Sequence, residues 1–193
     1  HYRLRIDLDQ NDKNHINNEY DFFIDVIDDR QKVLLTYDAP HPDIGCIKQI
    51  FNDKKNIQLD ILNYKKIKSK KSINNYDLVI LYQLPSRKNE IKKNKNLFKD
   101  IPKLYIIGNN SNLFNLNKLQ NTIGCNSSSQ SSNEVNSSIE SDFSLFQISD
   151  DLKDFVANAP PLISPFSDYK KLQGHVLMYQ KINSIKTGYP LLI

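Results

Sequence analysis

The chain has 193 residues and a formal charge of +4, from 26 basic and 22 acidic side chains. Hydrophobic residues make up 39% of it, which suffices for a core and excludes a wholly disordered chain. No apolar run approaches the ~20 residues that a membrane-spanning helix needs. The two cysteines, Cys46 and Cys125, are too few for a disulfide framework and lack the CxxC spacing of zinc or redox sites. His1 in place of an initiator Met and the apolar end at 191–193 predict a segment of a larger protein.

Charge is distributed unevenly along the chain. Residues 1–30 carry eight acids and four bases, whereas residues 65–103 carry twelve bases and three acids, a net charge of +9. A basic stretch of this kind can be a nucleic-acid footprint. Its lysines, however, fall on the outer face of a predicted surface helix, and few aromatic residues are interleaved with them. We therefore interpret the stretch as a solvated face and expect no nucleic acid partner.

Two short alternating segments open the chain. Hydrophobic and polar residues alternate over 2–8 and again over 20–27, and turn-forming residues occupy 9–18 between them. This pattern predicts an antiparallel β-hairpin within residues 1–30. Because a lone hairpin is marginally stable in water, we expect it to be the remnant of an upstream Ig-like β-sandwich module.

From residue 31 the pattern changes to short, continuously apolar strands that alternate with helical periodicity. Such strands are typical of a parallel sheet that is covered on both faces. We therefore predict that 31–193 forms one α/β domain with a flavodoxin-like, doubly wound, mostly parallel sheet and helices on both faces. The predicted strands are 33–37, 57–62, 76–82 and 103–108, and the predicted helices are 42–53, 88–99 and a short one over 113–119 that Gly124 closes.

The last third of the chain has a different pattern. Residues 126–141 contain eight serines, and we favour a polar β-excursion over a flexible linker because two apolar anchors remain in the segment. Phe143, Leu145 and Phe146 are expected to return to the core. A helix is predicted over 149–158, and the final hairpin, with strands over 176–180 and 189–193, is expected on the edge of the sheet.

In an open parallel sheet, ligands bind beyond the carboxyl ends of the strands, which here points to three loops. Polar residues of these loops form the candidate ligand rim, which consists of Asp38, His41, Asp43, Gln83, Asn109, Asn110 and Ser111. Ser86 and Arg87 also follow the third predicted strand. Asp38 and His41 offer an acid and a base for general acid–base chemistry. The favoured interpretation is structural, with Asp43 at the start of the helix and the other two bonded to the loop backbone.

The sequence contains no recognisable motif for phosphate or metal binding. It contains no GxGxxG, no Walker loop and no HExxH, and five glycines are too few for most phosphate-cradling loops. No cluster of His, Asp, Glu and Cys has the spacing of metal ligands. We therefore expect no cofactor and no metal site.

Residues 106–113 have the outline of a nucleophile elbow, because a strand ends in Gly108 and turns into a helix. A catalytic elbow needs cysteine or serine at the turn, flanked by small residues. This chain has two asparagines there, Asn112 stands where a glycine would close the motif, and Ser111 is the only candidate nucleophile. Asn adopts left-handed conformations readily, so the turn can form without a catalytic purpose.

The order of these elements resembles the class I glutamine amidotransferase-like superfamily over about residues 33–193. The run Tyr-Asp-Leu-Val-Ile-Leu at 76–81 and the strand-to-glycine step at 104–108 look like that family's third and fourth strands. In active members a cysteine on the elbow is activated by a late His-Glu pair. Neither Cys46 nor Cys125 falls at the elbow, and no His-x-Glu pair follows. The resemblance implies the fold and argues against amidotransferase catalysis.

The hairpin within residues 1–30 is similar to the last strands of adhesion-type β-sandwich modules. Its combination with an amidotransferase-like domain resembles large uncharacterised envelope proteins of Bacteroidetes-like bacteria. The leading hypothesis is a non-catalytic binding or scaffolding domain of a membrane-anchored envelope protein, with no membrane contact by this segment itself. Its expected partners are other domains of the parent chain and a protein or small-molecule ligand. The alternative is a hydrolase that uses Asp38, His41 and Ser111.

Overall fold

A computed structural model describes residues 1–5, 19–24, 30–67, 73–89, 91, 97–126 and 131–193. The chain divides into two units, His1–Arg30 and Gln31–Ile193. Six of the twelve residues of the predicted helix over 88–99 lie outside the described residues, and its described positions are not helical. The last residues of both strands that were predicted for the hairpin also lie outside the described residues.

The first unit contains a two-stranded antiparallel hairpin, formed by β1 (Tyr2–Arg5) and β2 (Glu19–Phe22). The predicted antiparallel pairing is confirmed for these residues. One face carries an ion pair, in which the Arg3 guanidinium donates to both carboxylate oxygens of Asp21 at 2.8 and 3.0 Å. The other face carries aromatic rings, and those of Tyr2 and Phe22 stack with centroids 5.6 Å apart. The alternation in the sequence thus separates a charged face from an aromatic one.

A four-stranded parallel sheet is the centre of the second unit. Its strands are β3 (Gln31–Tyr37), β4 (Ile57–Asn63), β5 (Leu78–Tyr82) and β6 (Lys103–Ile106), in the spatial order β4-β3-β5-β6. All three pairings are parallel. The four predicted strands are confirmed, although β6 ends before Gly108. The chain places β4 on one side of β3 and β5 on the other, so the direction of strand addition reverses at β3.

Alternate residues of β3 and β5 enter two separate hydrophobic clusters. Val33, Leu35 and Ile80 pack with helix α1 (Pro42–Asn52), which contributes Ile44 and begins with Pro42 at its first turn. The opposite face carries Leu34, Val79 and Leu81. A 3-10 helix (Tyr64–Lys66) and irregular segments cover it with a shared set of apolar side chains: Tyr64, Ile67, Ile73, Ile91, Leu97, Phe98 and Ile101. Both faces are therefore buried, as parallel sheets require.

The remaining elements build a second, antiparallel layer of structure. Its helices are α2 (Leu113–Leu116) and α3 (Asp150–Asn158), with Ser149 as the N-cap of α3. Its strands are β7 (Ile123–Asn126), β8 (Ser132–Ile139), β9 (Leu162–Pro165), β10 (Asp168–Lys171), β11 (Met178–Ile182) and β12 (Ile185–Leu192). They form a four-stranded sheet in the order β12-β11-β8-β9 and a two-stranded sheet of β10 with β7.

Three expectations about this last third need correction. The final hairpin joins β8 in the antiparallel sheet instead of lying on the edge of the parallel one, because the serine-rich segment supplies a strand that accepts its backbone hydrogen bonds. Gly124 lies within β7 and does not close a helix. Leu145 and Phe146 are 62% and 56% exposed, so they do not belong to the core. The predicted β-excursion is confirmed over Ser132–Ile139.

The helices within the described part of the chain are short. The longest, α1, has 11 residues. In this part of the protein, no helix has the length and apolar character needed to cross a membrane.

The buried centre of the parallel sheet predicts a large cost for truncating Leu34, whose side chain is fully buried. Leu34→Ala is expected to lower the free energy of unfolding by about 2–5 kcal/mol, because it removes apolar contacts and leaves a cavity. Ile50→Ala is the matched control, since Ile50 is 63% exposed on α1; it is expected to change stability by at most about 0.5 kcal/mol. Urea unfolding followed by circular dichroism measures both, and equal effects would contradict the described core.

Candidate functional site

A cavity of about 280 Å3 lies at the carboxyl ends of β3 and β5. These strands are neighbours in the sheet, and the chain adds β4 on the other side of β3 before it returns to add β5. At such a position the loops after the two strands lead to opposite faces of the sheet and leave a crevice between them. This crevice is the usual ligand site of open α/β sheets. The lining residues come from the loops after β3, β5 and β6, and they are Asp38, Ala39, His41, Tyr82, Gln83, Ser86, Arg87, Lys88 and Asn110.

Asp38 organises one wall of this cavity. Its side chain is only 10% exposed, and its carboxylate accepts a hydrogen bond from the Ser86 hydroxyl at 2.7 Å and another from the Asn89 amide. Lys65 Nζ lies 3.5 Å from the same carboxylate. The Asn63 amide donates to the Asp38 backbone oxygen at 2.9 Å, which ties the loop after β3 to the end of β4. A buried carboxylate with three such partners is a well-compensated structural charge.

Tyr82, the last residue of β5, organises the opposite wall. Its hydroxyl lies 2.8 Å from both His41 Nδ1 and Asp43 Oδ2, so its single hydrogen can be donated to either. The Asp43 backbone N–H also donates to His41 Nδ1 at 3.3 Å, which makes His41 the N-cap of α1. Burial, followed by the hydrogen bond to Asp43, raises the pKa of the Tyr82 phenol well above its usual range. The phenol therefore stays protonated at neutral pH and acts as a hydrogen-bond donor.

Gln83 joins this wall to the loop after β6. Its side-chain amide donates to the Tyr82 hydroxyl at 3.1 Å, and its Oε1 accepts from the Asn110 backbone N–H at 3.0 Å. Gly108 makes this arrangement possible, because a Cβ there would lie 2.7 Å from the Gln83 amide. Gln83 itself has a φ of +51°, in the left-handed region that non-glycine residues seldom adopt. An unfavourable backbone conformation is thus held in place by two side-chain bonds.

The elbow serine has a structural role in the same loop. The Ser111 hydroxyl oxygen accepts a hydrogen bond from the Gly108 N–H at 3.1 Å, and the side chain is buried. Asn112 is the N-cap of α2, where its amide oxygen accepts from the Asn115 N–H at 3.0 Å. Asn109 is exposed. Neither Ser111 nor Asn109 lines the cavity.

The structure therefore brings together only part of the predicted rim. Asp38, His41, Gln83 and Asn110 line one cavity, and Asp43 touches it through the Tyr82 hydroxyl. The serine beside Asp38 is Ser86, from the loop after β5. Sequence reasoning missed Tyr82, since the last residue of a buried strand reads as core. Its position at the carboxyl end of the strand was the available signal.

The cysteines are not placed for chemistry in this cavity. Cys46 is exposed on α1, and Cys125 is buried in β7. Burial raises the pKa of the Cys125 thiol to about 12, so the nucleophilic thiolate is scarce at neutral pH. Among the described residues, no group of three or more His, Cys, Asp and Glu side chains has metal-binding geometry.

Comparisons of the chain with protein-family models, with curated proteins and with solved structures found no match.

The Asp38 network predicts a measurable cost for removing its serine donor. Ser86→Ala is expected to lower the free energy of unfolding by about 1–3 kcal/mol, because a largely buried carboxylate loses a hydrogen bond. Ser144→Ala is the control, since Ser144 is exposed. Thermal or urea unfolding at neutral pH measures both variants. Equal stability of the two variants would contradict the role assigned to Ser86.

The environment of Tyr82 predicts late ionisation of its phenol. Because its pKa is raised in the folded protein, the stabilisation from Tyr82 is complete below the unfolded-state pKa of about 10 and is lost as the pH rises toward the folded value. Tyr82→Phe should remove one tyrosine from the late part of the alkaline absorbance titration and weaken the fall in stability above that pH. Loss of a tyrosine from the ordinary range instead would show that the phenol is not shielded.

Proposed function

We propose that this chain is a non-catalytic binding domain, and that the cavity at the carboxyl ends of β3 and β5 holds a small anionic ligand. In this proposal the domain belongs to the class I glutamine amidotransferase-like type, without a working nucleophile. Its place in a larger, membrane-anchored envelope protein is part of the same proposal, and the sequence resemblance is what supports it. The observation that carries the binding role is the convergence of three loops on one cavity at the strand reversal.

The strand order supports a flavodoxin-like arrangement. In chain order the four parallel strands lie as 2-1-3-4, which matches the doubly wound order except for a fifth strand. Helix α1 covers one face of the sheet, and the connections before and after β5 cover the other. Right-handed crossovers on both sides of a reversal lead to this distribution. We propose on this basis that the sheet is doubly wound.

The charges of the cavity favour an anion. Among the described lining residues, Arg87 and Lys88 stand against Asp38, which gives these residues a net formal charge of +1. Asp38 is already compensated by its hydroxyl, amide and lysine partners, so it contributes little repulsion toward a ligand. Arg87 and Lys88 are both exposed at the mouth. An incoming carboxylate would meet these cations together with the amides of Gln83 and Asn110.

The state of each nucleophile supports a non-catalytic role. The Ser86 hydroxyl donates to Asp38 and accepts from the Asn89 backbone N–H at 2.9 Å, so it is committed to the loop. The Ser111 hydroxyl oxygen accepts from the Gly108 N–H. Activation of a serine requires a base that takes its proton. Here His41 instead contacts the Tyr82 phenol and the start of α1.

Titration calorimetry with citrate, malonate and inorganic phosphate tests the binding role. We expect at least one of these anions to bind, with an affinity that falls as salt is added. The double substitution Arg87→Gln and Lys88→Gln should weaken binding by at least about tenfold, because it removes both cations at the mouth. The double substitution Lys170→Gln and Lys171→Gln removes the same charge from exposed positions on β10 and should leave binding within about twofold.

Two results would overturn the proposal. The first is that none of the three anions binds, or that the double substitution at the mouth binds them as well as the unaltered protein does. The second is hydrolysis of glutamine or p-nitrophenyl acetate well above background that is lost on Ser86→Ala or Ser111→Ala, which would favour the hydrolase alternative.

A further inference from the structure

A second and larger cavity, separate from the one at the carboxyl ends of β3 and β5, lies beside the four-stranded antiparallel sheet. It is a groove of about 930 Å3, bounded by β8, α3, the loop of residues 140–149 and Lys181 of β11. Its volume falls within the ~300–1,000 Å3 that small-molecule sites occupy. The Ser137 hydroxyl donates to the Val156 backbone oxygen at 3.4 Å, which connects β8 to α3 along one side of the groove. The walls therefore belong to one packed assembly of strand and helix.

Two phenylalanine rings form an aromatic wall of this groove. Phe143 and Phe146 meet edge to face, with centroids 4.8 Å apart and an interplanar angle of 73°. Phe143 is half-buried, whereas Phe146 is 56% exposed. An edge-to-face pair restrains the orientation of both rings. Phe146 thus presents a restrained apolar surface to whatever occupies the groove.

The charged side chains that line the groove, among the described residues, have no net formal charge. Glu140 and Asp150 are balanced by Lys153 and Lys181 in the lining, so the formal charge is zero. Asp150 is paired with Lys153 at 2.8 Å, and Glu140 with Lys186 of β12 at 3.3 Å. Because these carboxylates already have cationic partners, the groove gives little electrostatic preference to a cationic ligand.

Neutral hydrogen-bonding groups complete the lining. Asn136 and Ser138 come from β8, and Gln147 comes from the loop beside Phe146. Within the described part of the chain, the structure records no side-chain hydrogen bond for these three. Amide and hydroxyl side chains both donate and accept, so they suit a ligand that carries hydroxyl groups.

We propose that this groove binds a neutral oligosaccharide. Sugars present hydroxyl groups at the edges of each ring and C–H groups on its faces, and the groove offers amides and hydroxyls for the former and Phe146 for the latter. A basic peptide would gain little from carboxylates that lysines already neutralise. A purely apolar ligand would leave the polar lining without partners, which is unfavourable.

Titration calorimetry on the whole 193-residue chain tests this proposal with three neutral tetrasaccharides: cellotetraose, chitotetraose and maltotetraose. At least one is expected to bind, with a dissociation constant that stays within about twofold between about 50 and about 500 mM NaCl because the ligand is uncharged. Phe146→Ala should raise the dissociation constant by at least about tenfold. Gln147→Ala should raise it by about three- to tenfold, through the lost amide contacts.

The matched control is Phe155→Ala, which removes a 68% exposed ring from α3 outside the groove lining and should leave binding within about twofold. Since Phe146 is also largely exposed, an unchanged urea midpoint is expected for both variants. Failure of all three tetrasaccharides to bind would overturn the proposal, as would equal binding by Phe146→Ala. Salt-sensitive binding of tetralysine with no tetrasaccharide binding would overturn it too and would assign the groove to a cationic partner.

Discussion

The burial of β3 is the constraint on which the rest of the second unit depends. This strand pairs with β4 on one side and β5 on the other, and Leu34 and Leu35 enter hydrophobic clusters on opposite faces. Every backbone group in such a strand needs a partner within the sheet, because water does not reach it. Both ends of the strand reach the surface, and at its carboxyl end the loop after β3 leads to α1 on one face of the sheet, whereas the loop after β5 leads to the opposite face. Position and shape of the small cavity follow from that arrangement.

The two cavities differ because the sheets that support them differ. Parallel strands bring several loops to one edge, so the small cavity combines side chains from three loops, among them Asp38, Gln83 and Asn110. The antiparallel sheet instead exposes part of one face, and α3 with the aromatic loop borders the groove on it. Charge follows the same division. In the described part of the chain, the small cavity has a net cationic lining, whereas the charges of the acids and lysines that line the groove sum to zero.

Sequence reasoning succeeded where the information is local. Continuous apolar runs identified all four parallel strands, and Pro42 marked the start of α1. It was less informative about partners. The final hairpin was placed on the wrong sheet, because alternation shows which face of a strand is buried and not which strand lies beside it. The aromatic segment at 143–146 was placed in the core for a related reason, since a phenylalanine that lines an open groove has the same pattern as a buried one.

By itself, the sequence determined the strand-forming segments, the edge of the sheet where polar loops gather and the absence of a cysteine at the elbow. Those features depend on residue type and on spacing along the chain. Only the tertiary structure decided that Ser86, and not Ser111, meets Asp38, and that Tyr82 joins His41 to Asp43. Ser86 and Asp38 are 48 positions apart, and their contact exists only because parallel pairing of β3 with β5 brings both loops to one edge. Pairing between distant strands is a property of the folded chain, so no local pattern contains it.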